Sequence, residues 1–149
     1  KQTNIILCNS IEEALKKAGA KLPSSNKLKL NIPINKTLKI ITNAGGAGAL
    51  ASDYLNERNI RTKMIDILGT ATSSEYKKEL NKHKKENLLV IITPQSMTDI
   101  NNIAQTIIDF KKINKRLTVC LLGNKSVKQA TKILKDNKIN VGNTLNFYN

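Results

Sequence analysis

Short apolar runs that alternate with amphipathic segments constrain the fold of this chain more than any other feature. We predict strands over Leu38–Thr42, Arg61–Leu68, Leu88–Thr93, Leu117–Leu122 and Ile139–Thr144, and helices over Ala47–Asn59, Thr72–Asn87, Thr98–Asn114 and Ser126–Lys138. This alternation is typical of a parallel sheet with helices on both faces. The runs "LLVIIT" and "LTVCLL" are apolar throughout, as strands buried on both faces are. The predicted class is α/β, and five strands favour the flavodoxin-like doubly wound order.

The first 35 residues are predicted to form a short helix followed by an extended linker. Ser10 can cap the helix, and Glu13 three residues later completes a capping box. The stretch "KLPSSNKLKLNIPINKT" then contains two prolines and many small polar residues, a composition typical of a linker. The division predicted for the chain is therefore 1–35 for helix and linker and 36–149 for the flavodoxin-like domain.

The two ends of the sequence suggest a piece of a longer protein. The chain begins at Lys1 without a methionine, and no helix follows the fifth predicted strand. We therefore expect another segment to complete the sheet, or further domains to flank this one. No apolar run approaches the roughly 20 residues that a membrane-spanning helix needs, so no membrane partner is expected. Cys8 and Cys120 lie in apolar runs and are expected to be buried thiols, which indicates a cytoplasmic setting.

The formal net charge of +14 is a weak argument for nucleic-acid binding. Nearly all the cations are lysines spread along the chain, and there are only three arginines. The five aromatic residues are not interleaved with a basic cluster, as a base-stacking surface requires. We expect solvated lysine faces and no nucleic-acid partner, with attraction of some other polyanion as the alternative.

A cluster of glycines follows the first predicted strand of the domain. Ligands bind at the carboxyl ends of the strands in such sheets, close to the point where the strand order switches. A helix beginning here would present free backbone amides and the positive end of its dipole. We predict a phosphate site made of Asn43, Ala44, Gly45, Gly46, Ala47 and Gly48, with amides donating from 45–49 and the Asn43 side chain helping. A tight structural turn remains the alternative, because neither the P-loop nor the dinucleotide pattern is present.

A second polar loop is predicted at the same edge of the sheet. The supporting residues are Thr93, Pro94, Gln95 and Ser96, with Thr98 or Asp99 as the cap of the next helix. A helix start alone explains the proline and the cap, but it does not explain Gln95 and Ser96. A third loop, "DILGTAT", reaches the same edge, and Ser73 or Ser74 is expected to cap the helix after it.

The remaining chemical candidates predict no catalytic residue. The single histidine, His83, lies among lysines and is expected to be a solvated surface residue that nothing orients. One histidine and two separated cysteines cannot assemble a zinc site, so no metal ligand is predicted.

Four blocks of the sequence resemble a known family. They are "IITNAGGAGALASDYL", "IDILGTA" followed by "EY", "LLVIITPQSMTDINNIAQTI" and "CLLGNKSVKQATKILKDNKINV". They are similar to the nucleoside-diphosphate-forming acyl-CoA synthetases, which include ADP-forming acetyl-CoA synthetases and relatives of succinyl-CoA synthetase. The stretch "CNSIEEALKKAGA" resembles the helix before the domain in that family. The resemblance implies a flavodoxin-like CoA-ligase domain.

The resemblance also implies a mechanism for the whole enzyme. Such enzymes interconvert acyl-CoA, phosphate and ADP (or GDP) with acid, CoA and the nucleoside triphosphate through an acyl phosphate and a phosphohistidine. The phosphohistidine lies between two helix N-termini, and the helix at 43–48 would supply one of them. CoA, ADP or ATP, phosphate and Mg are then cofactors of the whole enzyme, and none is expected within this fragment. The partners implied are CoA-binding, histidine-bearing and ATP-grasp domains or subunits, in an oligomer.

The chain departs from the family at two places. Ala47 stands where the family usually has proline, and Lys63 and Met64 replace an Asn-Pro pair. The family's active-site histidine lies upstream and does not match His83, so the fragment alone is expected to be inactive. The alternative function is a non-catalytic, ligand-sensing domain of the same type in a protein acetyltransferase.

Overall fold

A computed structural model describes residues 5–8, 11–21, 28–30, 32, 36–123 and 125–148. The helices are α1 (Ile11–Lys17), α2 (Gly45–Asn56), α3 (Ser73–Lys82), α4 (Ile100–Lys111) and α5 (Lys128–Asp136), with a 3₁₀ turn at Lys125–Val127. The strands are β1 (Leu28–Lys29), β2 (Leu38–Thr42), β3 (Thr62–Asp66), β4 (Asn87–Ile92), β5 (Leu117–Leu121), β6 (Asn140–Gly142) and β7 (Phe147–Tyr148). The cap predicted at Ser10 lies outside the described residues.

Five of these strands form one parallel sheet in the order β3-β2-β4-β5-β6. The register pairs Leu38 with Thr62 on one side of β2 and with Asn87 on the other. The chain therefore runs from β2 to one neighbour, crosses back to β4, and continues outward. This is the flavodoxin-like doubly wound order, and the predicted fold class is confirmed.

The two faces of the sheet bury two separate sets of apolar side chains, because successive residues of a strand point to opposite sides. Helices α3, α4 and α5 cover the face formed by Ile41, Leu88, Val90, Ile92, Leu117, Val119 and Leu121. Helix α2 packs against the opposite face, formed by Leu38, Ile40, Leu89, Ile91 and Cys120. All six residues of β4 are buried, as expected for the central strand of a two-sided sheet.

The rest of the second face is covered by residues from the region predicted to be a linker. Leu28, Leu30 and Ile32 are buried, and they belong to the same apolar cluster as Phe147. Residues 28–29 pair in parallel with residues 147–148, and Asn140 Nδ2 donates to the Lys29 carbonyl oxygen at 2.6 Å. The prediction of an extended linker up to residue 35 does not hold for Leu28, Leu30 and Ile32, which pack as part of the domain. Residues 28–29 and 147–148 form a separate two-stranded sheet and do not extend the five-stranded one.

Element boundaries differ from the prediction where side chains or tertiary contacts decide them. Helix α2 begins at Gly45 instead of Ala47, so the glycines form its first turn and not a loop before it. Helix α3 is capped by Thr72 instead of Ser73 or Ser74, because the Thr72 amide donates to Glu75 Oε2 at 2.7 Å in a capping box. It ends at Lys82, five residues earlier than predicted, since the chain turns there to enter β4 at Asn87.

The longest helices in the described part of the chain, α2 and α4, have 12 residues each. None of the described helices has the length and apolar character needed to span a bilayer.

Candidate functional site

The ends of β2 and β4 form the candidate site. These neighbouring strands lie where the order of the sheet reverses, and their carboxyl ends lead into the loops at 43–44 and 93–99. In open α/β sheets ligands occupy this crevice. The two loops predicted from the sequence are thus brought to the expected edge of the sheet.

The first turn of α2 presents three open amides at this edge. Ala44 is the N-cap residue, and a methyl side chain cannot accept a hydrogen bond there. The amides of Gly45, Gly46 and Ala47 donate to no other described residue. The Gly48 amide is different, because it donates to the Ala44 carbonyl oxygen at 3.1 Å as the first bond of the helix. The donor set predicted over 45–49 therefore narrows to residues 45–47, which we call the helix mouth.

Thr42 shapes the turn that leads into the helix mouth. Its hydroxyl accepts from the Ala44 amide at 3.0 Å and lies 3.2 Å from the Ala44 carbonyl oxygen, to which it can donate. The residue is completely buried at the end of β2. The Ala44 amide already donates to Thr42, so it is not a free donor for a ligand. Ala44 contributes to the site only as the N-cap residue before the open amides. The sequence did not single out Thr42, although its position as the last residue of a strand before the helix is a usable signal.

The three glycines of the cluster have different surroundings. A Cβ atom on Gly48 would lie 2.5 Å from Met64 Sδ and 2.8 Å from Thr42 Cγ2, so this glycine allows α2 to pack closely on the sheet. A Cβ atom on Gly46 would meet nothing within 4 Å, and the residue is exposed. Glycine in a helix costs up to about 1 kcal/mol relative to alanine. Packing explains Gly48, whereas it gives no reason for glycine at position 46.

Asp66 lies beside the helix mouth, where the sequence analysis placed no site residue. It is the last residue of β3 and pairs in register with Thr42. A Cβ atom on Gly45 would lie 2.6 Å from Asp66 Oδ2, and Asp66 Oδ1 accepts from the Leu68 amide at 2.8 Å. The first turn of α2 itself contains no acidic residue, so this neighbouring carboxylate brings a negative charge to the open amides from another element. The sequence could have indicated Asp66 as a site residue, because β2 and β3 are adjacent parallel strands that end at the same level.

The charge of Asp66 also acts on a buried phenol. Burial, and after it the negative charge of Asp66, raises the pKa of Tyr76 well above its ordinary value. The Tyr76 side chain is fully buried, and its hydroxyl has no hydrogen-bond partner among the described residues. This phenol therefore stays protonated at any physiological pH and cannot serve as a base.

Asn43 clamps the two loops together. Its Nδ2 atom donates to the Thr93 carbonyl oxygen at 2.9 Å, and its Oδ1 atom accepts from the Thr93 amide at 2.9 Å. The side chain is buried, and it faces the end of β4. The expected role of Asn43 as a side-chain donor to phosphate does not match this geometry. Asn43 instead fixes the position of the helix mouth relative to the second loop.

The second loop is held in place by Gln95. Its Nε2 atom donates to the Asn43 carbonyl oxygen at 3.1 Å, and its backbone amide donates to Thr98 Oγ1 at 3.1 Å. The side chain passes over Gly69 so closely that a Cβ atom there would lie 1.9 Å from Gln95 Oε1. Gln95 thus ties together all three loops at this edge, which explains why an amide side chain is needed at a position that a helix start alone does not explain.

The other residues predicted for the second loop differ in exposure. Ser96 is exposed, and Pro94 lies next to Gly123 in the neighbouring β5–α5 connection. The Thr93 hydroxyl is buried without a partner among the described residues, although the Thr93 backbone is held by Asn43. Asp99 caps α4 by accepting from the Asn102 amide at 3.1 Å, one of the two caps predicted. The loop therefore supports the helix mouth through the backbone of Thr93.

His83 is not the solvated surface residue that was predicted. Its side chain is only 11% exposed, with Nε2 lying 3.1 Å from Glu79 Oε1 and Nδ1 lying 3.0 Å from Glu86 Oε1. Lys39 Nζ approaches the same ring at 3.4 Å from the start of β2. The cluster lies at the amino edge of the sheet, opposite the helix mouth. Both glutamates are helix or turn neighbours in sequence, so the i+3 and i+4 spacing around His83 was a signal that could have been used.

The two cysteines are free thiols in the structure. Cys120 is buried on β5, as predicted, and its Sγ atom donates to the Thr144 carbonyl oxygen at 3.1 Å. Burial raises the pKa of this thiol to about 12, even though the hydrogen bond acts to lower it, so it is not a nucleophile at neutral pH. Cys8 is only partly buried, contrary to the prediction.

Comparison with known proteins gives a fold match without a sequence-family match. No family model matches the chain, and no curated protein matches it. Two solved structures of a dinucleotide forming acetyl-coenzyme A synthetase 1 from Ca. Korarchaeum cryptofilum, one with phosphate and ADP and one in the apo form, match with a TM-score of 0.70 and 23% identity. Each match covers 78% of this chain and 32% of the solved chain.

A third solved structure has the same fold. The protein PH0766 from Pyrococcus horikoshii OT3 matches with a TM-score of 0.69 and 18% identity, over 91% of this chain and 40% of that chain. The matches therefore span only 32% to 40% of the length of the solved chains. At these identities the matches establish the flavodoxin-like fold.

Proposed function

We propose that this chain is the phosphate-cradling domain of an ADP- or GDP-forming acyl-CoA synthetase. The observation that carries the proposal is the helix mouth: three unused amides point from a helix N-terminus at the sheet's switch point, and the most exposed of the three residues is a glycine without a packing role. The solved acetyl-CoA synthetase with the same fold was obtained with phosphate and ADP, which supports a phosphate ligand for this chain.

The physical role follows from the direction of the helix. Gly45, Gly46 and Ala47 donate backbone hydrogen bonds to a phosphoryl group, and the helix dipole adds about 0.3–1 kcal/mol of stabilisation for each negative charge near the first turn. Asn43 and Gln95 keep the mouth fixed, so little reorganisation is needed when charge arrives. The Asp66 carboxylate repels an anion that binds beside it, and it therefore lowers the affinity of the helix mouth for free phosphate.

The remaining parts of the reaction belong to other domains. The phosphohistidine comes from a histidine-bearing domain, and CoA, the nucleotide and Mg bind to CoA-binding and ATP-grasp domains of the same enzyme or of its partner subunits in an oligomer. His83 lies at the opposite edge of the sheet and takes no part. The isolated chain is then inactive in acyl-CoA synthesis, and its free thiols fit a cytoplasmic enzyme.

A titration with inorganic phosphate tests the central claim on the chain as it is. In the ¹⁵N-labelled protein, phosphate should shift the amide signals of Gly45, Gly46 and Ala47. Gly46→Asp places a carboxylate over the mouth and should abolish these shifts while the protein stays folded. Asn101→Asp is the matched control, because Asn101 is the second residue of α4 just as Gly46 is the second residue of α2. Unchanged phosphate shifts in Gly46→Asp, or none in the wild type at millimolar phosphate, would contradict the proposal.

The same variant separates the proposal from the ligand-sensing alternative. In the intact protein, Gly46→Asp should abolish formation of the phosphoenzyme from labelled ATP. Normal phosphoenzyme levels in that variant would show that the helix mouth does not hold the phosphoryl group. A full-length protein that forms no phosphoenzyme and carries an acetyltransferase domain would instead favour a regulatory role.

A further inference from the structure

A second candidate site lies at the amino edge of the sheet, on the opposite side from the helix mouth. Here the starts of β2, β4, β5 and β6 surround a cavity of about 190 Å³. The segment around Leu30 and Ile32 forms one wall. Among the described residues, four cationic side chains and three polar ones contribute to the lining, and no carboxylate does.

The cations around this cavity come from two different connections. Lys111, Lys115 and Arg116 belong to the end of α4 and the turn before β5, and Lys138 belongs to the turn before β6. Lys111 Nζ donates to the Lys115 carbonyl oxygen at 2.6 Å, which holds its ammonium group at the rim. Burial, and then the positive charge of Lys115, lowers the pKa of Lys111. An anion in the cavity would favour the charged form of Lys111 and so offset both effects.

One buried side-chain oxygen in the lining has no partner in the part of the chain that the structure describes. Asn87 is only 5% exposed, and its Oδ1 atom makes no hydrogen bond with any described residue. The neighbouring Asn140 is satisfied, since its Nδ2 atom donates to the Lys29 carbonyl oxygen and lies 3.3 Å from Thr118 Oγ1. Buried polar groups are almost always paired, so the Asn87 Oδ1 atom, which has no partner among the described residues, is an independent indication of a ligand.

We propose that this cavity binds a small phosphate-bearing anion. The cations supply charge for the phosphate oxygens, and Asn87 Oδ1 can accept a hydrogen bond from the O–H of hydrogen phosphate or from a hydroxyl of a phosphorylated alcohol. Sulfate and simple carboxylates are fully ionised near neutral pH and lack that donor. The cavity is smaller than the roughly 300–1,000 Å³ of pockets for drug-sized ligands, which limits the ligand to a compact one. The site is separate from the helix mouth and does not depend on the function proposed for it.

Amide shifts in the ¹⁵N-labelled chain can locate the binding. Inorganic phosphate, 2-hydroxyethyl phosphate and sulfate are titrated separately at constant ionic strength. Either phosphate probe should shift the amides of Asn87, Thr118 and Asn140, and sulfate should bind several-fold more weakly. Tighter binding of 2-hydroxyethyl phosphate, which carries a free hydroxyl, would identify a phosphorylated alcohol as the ligand class, and tighter binding of inorganic phosphate would identify the free ion.

Charge-matched variants then test the lining. Lys115→Gln with Arg116→Gln should weaken phosphate binding at the amino edge about tenfold or more, since hydrogen bonds to charged groups are the strong ones. Lys78→Gln with Lys132→Gln removes the same charge from exposed positions on α3 and α5 and should change the affinity less than twofold. Asn87→Leu, which keeps a similar volume, should remove the preference for phosphate over sulfate.

The outcomes distinguish this site from the helix mouth. Shifts confined to Gly45, Gly46 and Ala47 would overturn the amino-edge site and support the proposed function. Shifts confined to the amino edge would support the amino-edge site and contradict the proposed function. Equal weakening by the two charge-matched double variants would show attraction to the net charge alone and would also overturn the site. Shifts at both edges, each removed only by its own variants, would support both proposals.

Discussion

Gly45 and Asp66 approach each other so closely that a Cβ atom on Gly45 would lie 2.6 Å from Asp66 Oδ2. The two residues belong to the first turn of α2 and to the end of the neighbouring strand. The helix dipole stabilises the carboxylate at this position, and the carboxylate in turn repels any second anion. The candidate site is therefore only partly electropositive, and its affinity for phosphate depends on one neighbouring side chain.

Asp66→Asn should raise the affinity of the helix mouth for inorganic phosphate about threefold to tenfold, because it removes one negative charge a few ångströms away. The asparagine keeps an oxygen that can accept from the Leu68 amide. The measurement is the dissociation constant from the amide titration. Asp109→Asn, an exposed change of the same charge on α4, is the control. Equal effects of the two variants would show that only the net charge matters.

Alanine at Gly46 and at Gly48 should change stability in opposite directions. Gly46→Ala should stabilise the protein by up to about 1 kcal/mol, since nothing lies near the new methyl group and alanine favours the helix. Gly48→Ala should destabilise it by about 1–3 kcal/mol, because the methyl group would overlap Met64 and Thr42. Urea unfolding measures both. A loss of stability in Gly46→Ala would show that the fold itself requires glycine at position 46.

Removal of the Asn43 amide should destabilise the fold. Asn43→Ala breaks two hydrogen bonds to the Thr93 backbone and leaves that amide and carbonyl unpaired, at a cost of about 2–4 kcal/mol. Asn101→Ala, an exposed asparagine with one long hydrogen bond to Gln129, should cost less than about 0.5 kcal/mol. Thermal or urea unfolding gives the difference. Similar small losses in both variants would show that the loop clamp contributes little.

Replacing leucine by alanine should have very different effects on stability at two positions within residues 1–35. Leu30 is 1% exposed and packs in the core, so Leu30→Ala should lower the free energy of unfolding by about 2–4 kcal/mol. Leu15 is 42% exposed on α1, and Leu15→Ala should have little effect. Urea unfolding midpoints give both values. If Leu30→Ala were neutral as well, the segment would be a linker, as its composition suggests.

The glutamates around His83 should make stability depend on acid pH. Partial burial acts to raise the pKa values of Glu79 and Glu86, but hydrogen bonds from Lys82 and His83 to the first, and from His83 and Lys39 to the second, hold both below their ordinary 4.5. A lowered pKa gives stability that is present above the ordinary value and is lost as the pH falls through the lowered one.

The free energy of unfolding, measured between about pH 6 and pH 3, should therefore fall less steeply in Glu79→Gln with Glu86→Gln than in the wild type. Glu57→Gln, whose side chain is 75% exposed, should keep the wild-type slope. Parallel slopes in all three proteins would show that the cluster does not contribute to acid stability.

Local sequence patterns predicted the sheet because its central strands are buried on both faces. Leu38–Thr42 was predicted to the residue, since a continuous apolar run ends at Asn43. The strand order followed from the alternation of strands and helices, for which parallel sheets allow few arrangements. The two polar loops at the carboxyl edge followed from the same order, and the structure brings both to the switch point.

The features that were missed depend on contacts between residues far apart in sequence. Three glycines within four residues look like a loop, but Gly48 lies inside a helix because α2 must pack closely on Met64 and Thr42. His83 looked exposed among lysines, yet Lys39 from another element closes over it. Leu28, Leu30 and Ile32 lie in a stretch with the composition of a linker, and they are buried in one cluster with Phe147 at the other end of the described chain.

The pairing of residues 28–29 with residues 147–148 also has a consequence for how the chain folds. The contacts between these segments, such as the pairing of Leu28 with Phe147, close a loop that contains the whole intervening sheet. Closing such a loop lowers the conformational entropy of the chain before the new contacts contribute stabilisation. This entropy loss slows folding. We therefore expect the face of the sheet under α3, α4 and α5 to condense first from nearer neighbours, and the face under Leu28, Leu30 and Ile32 to be completed last.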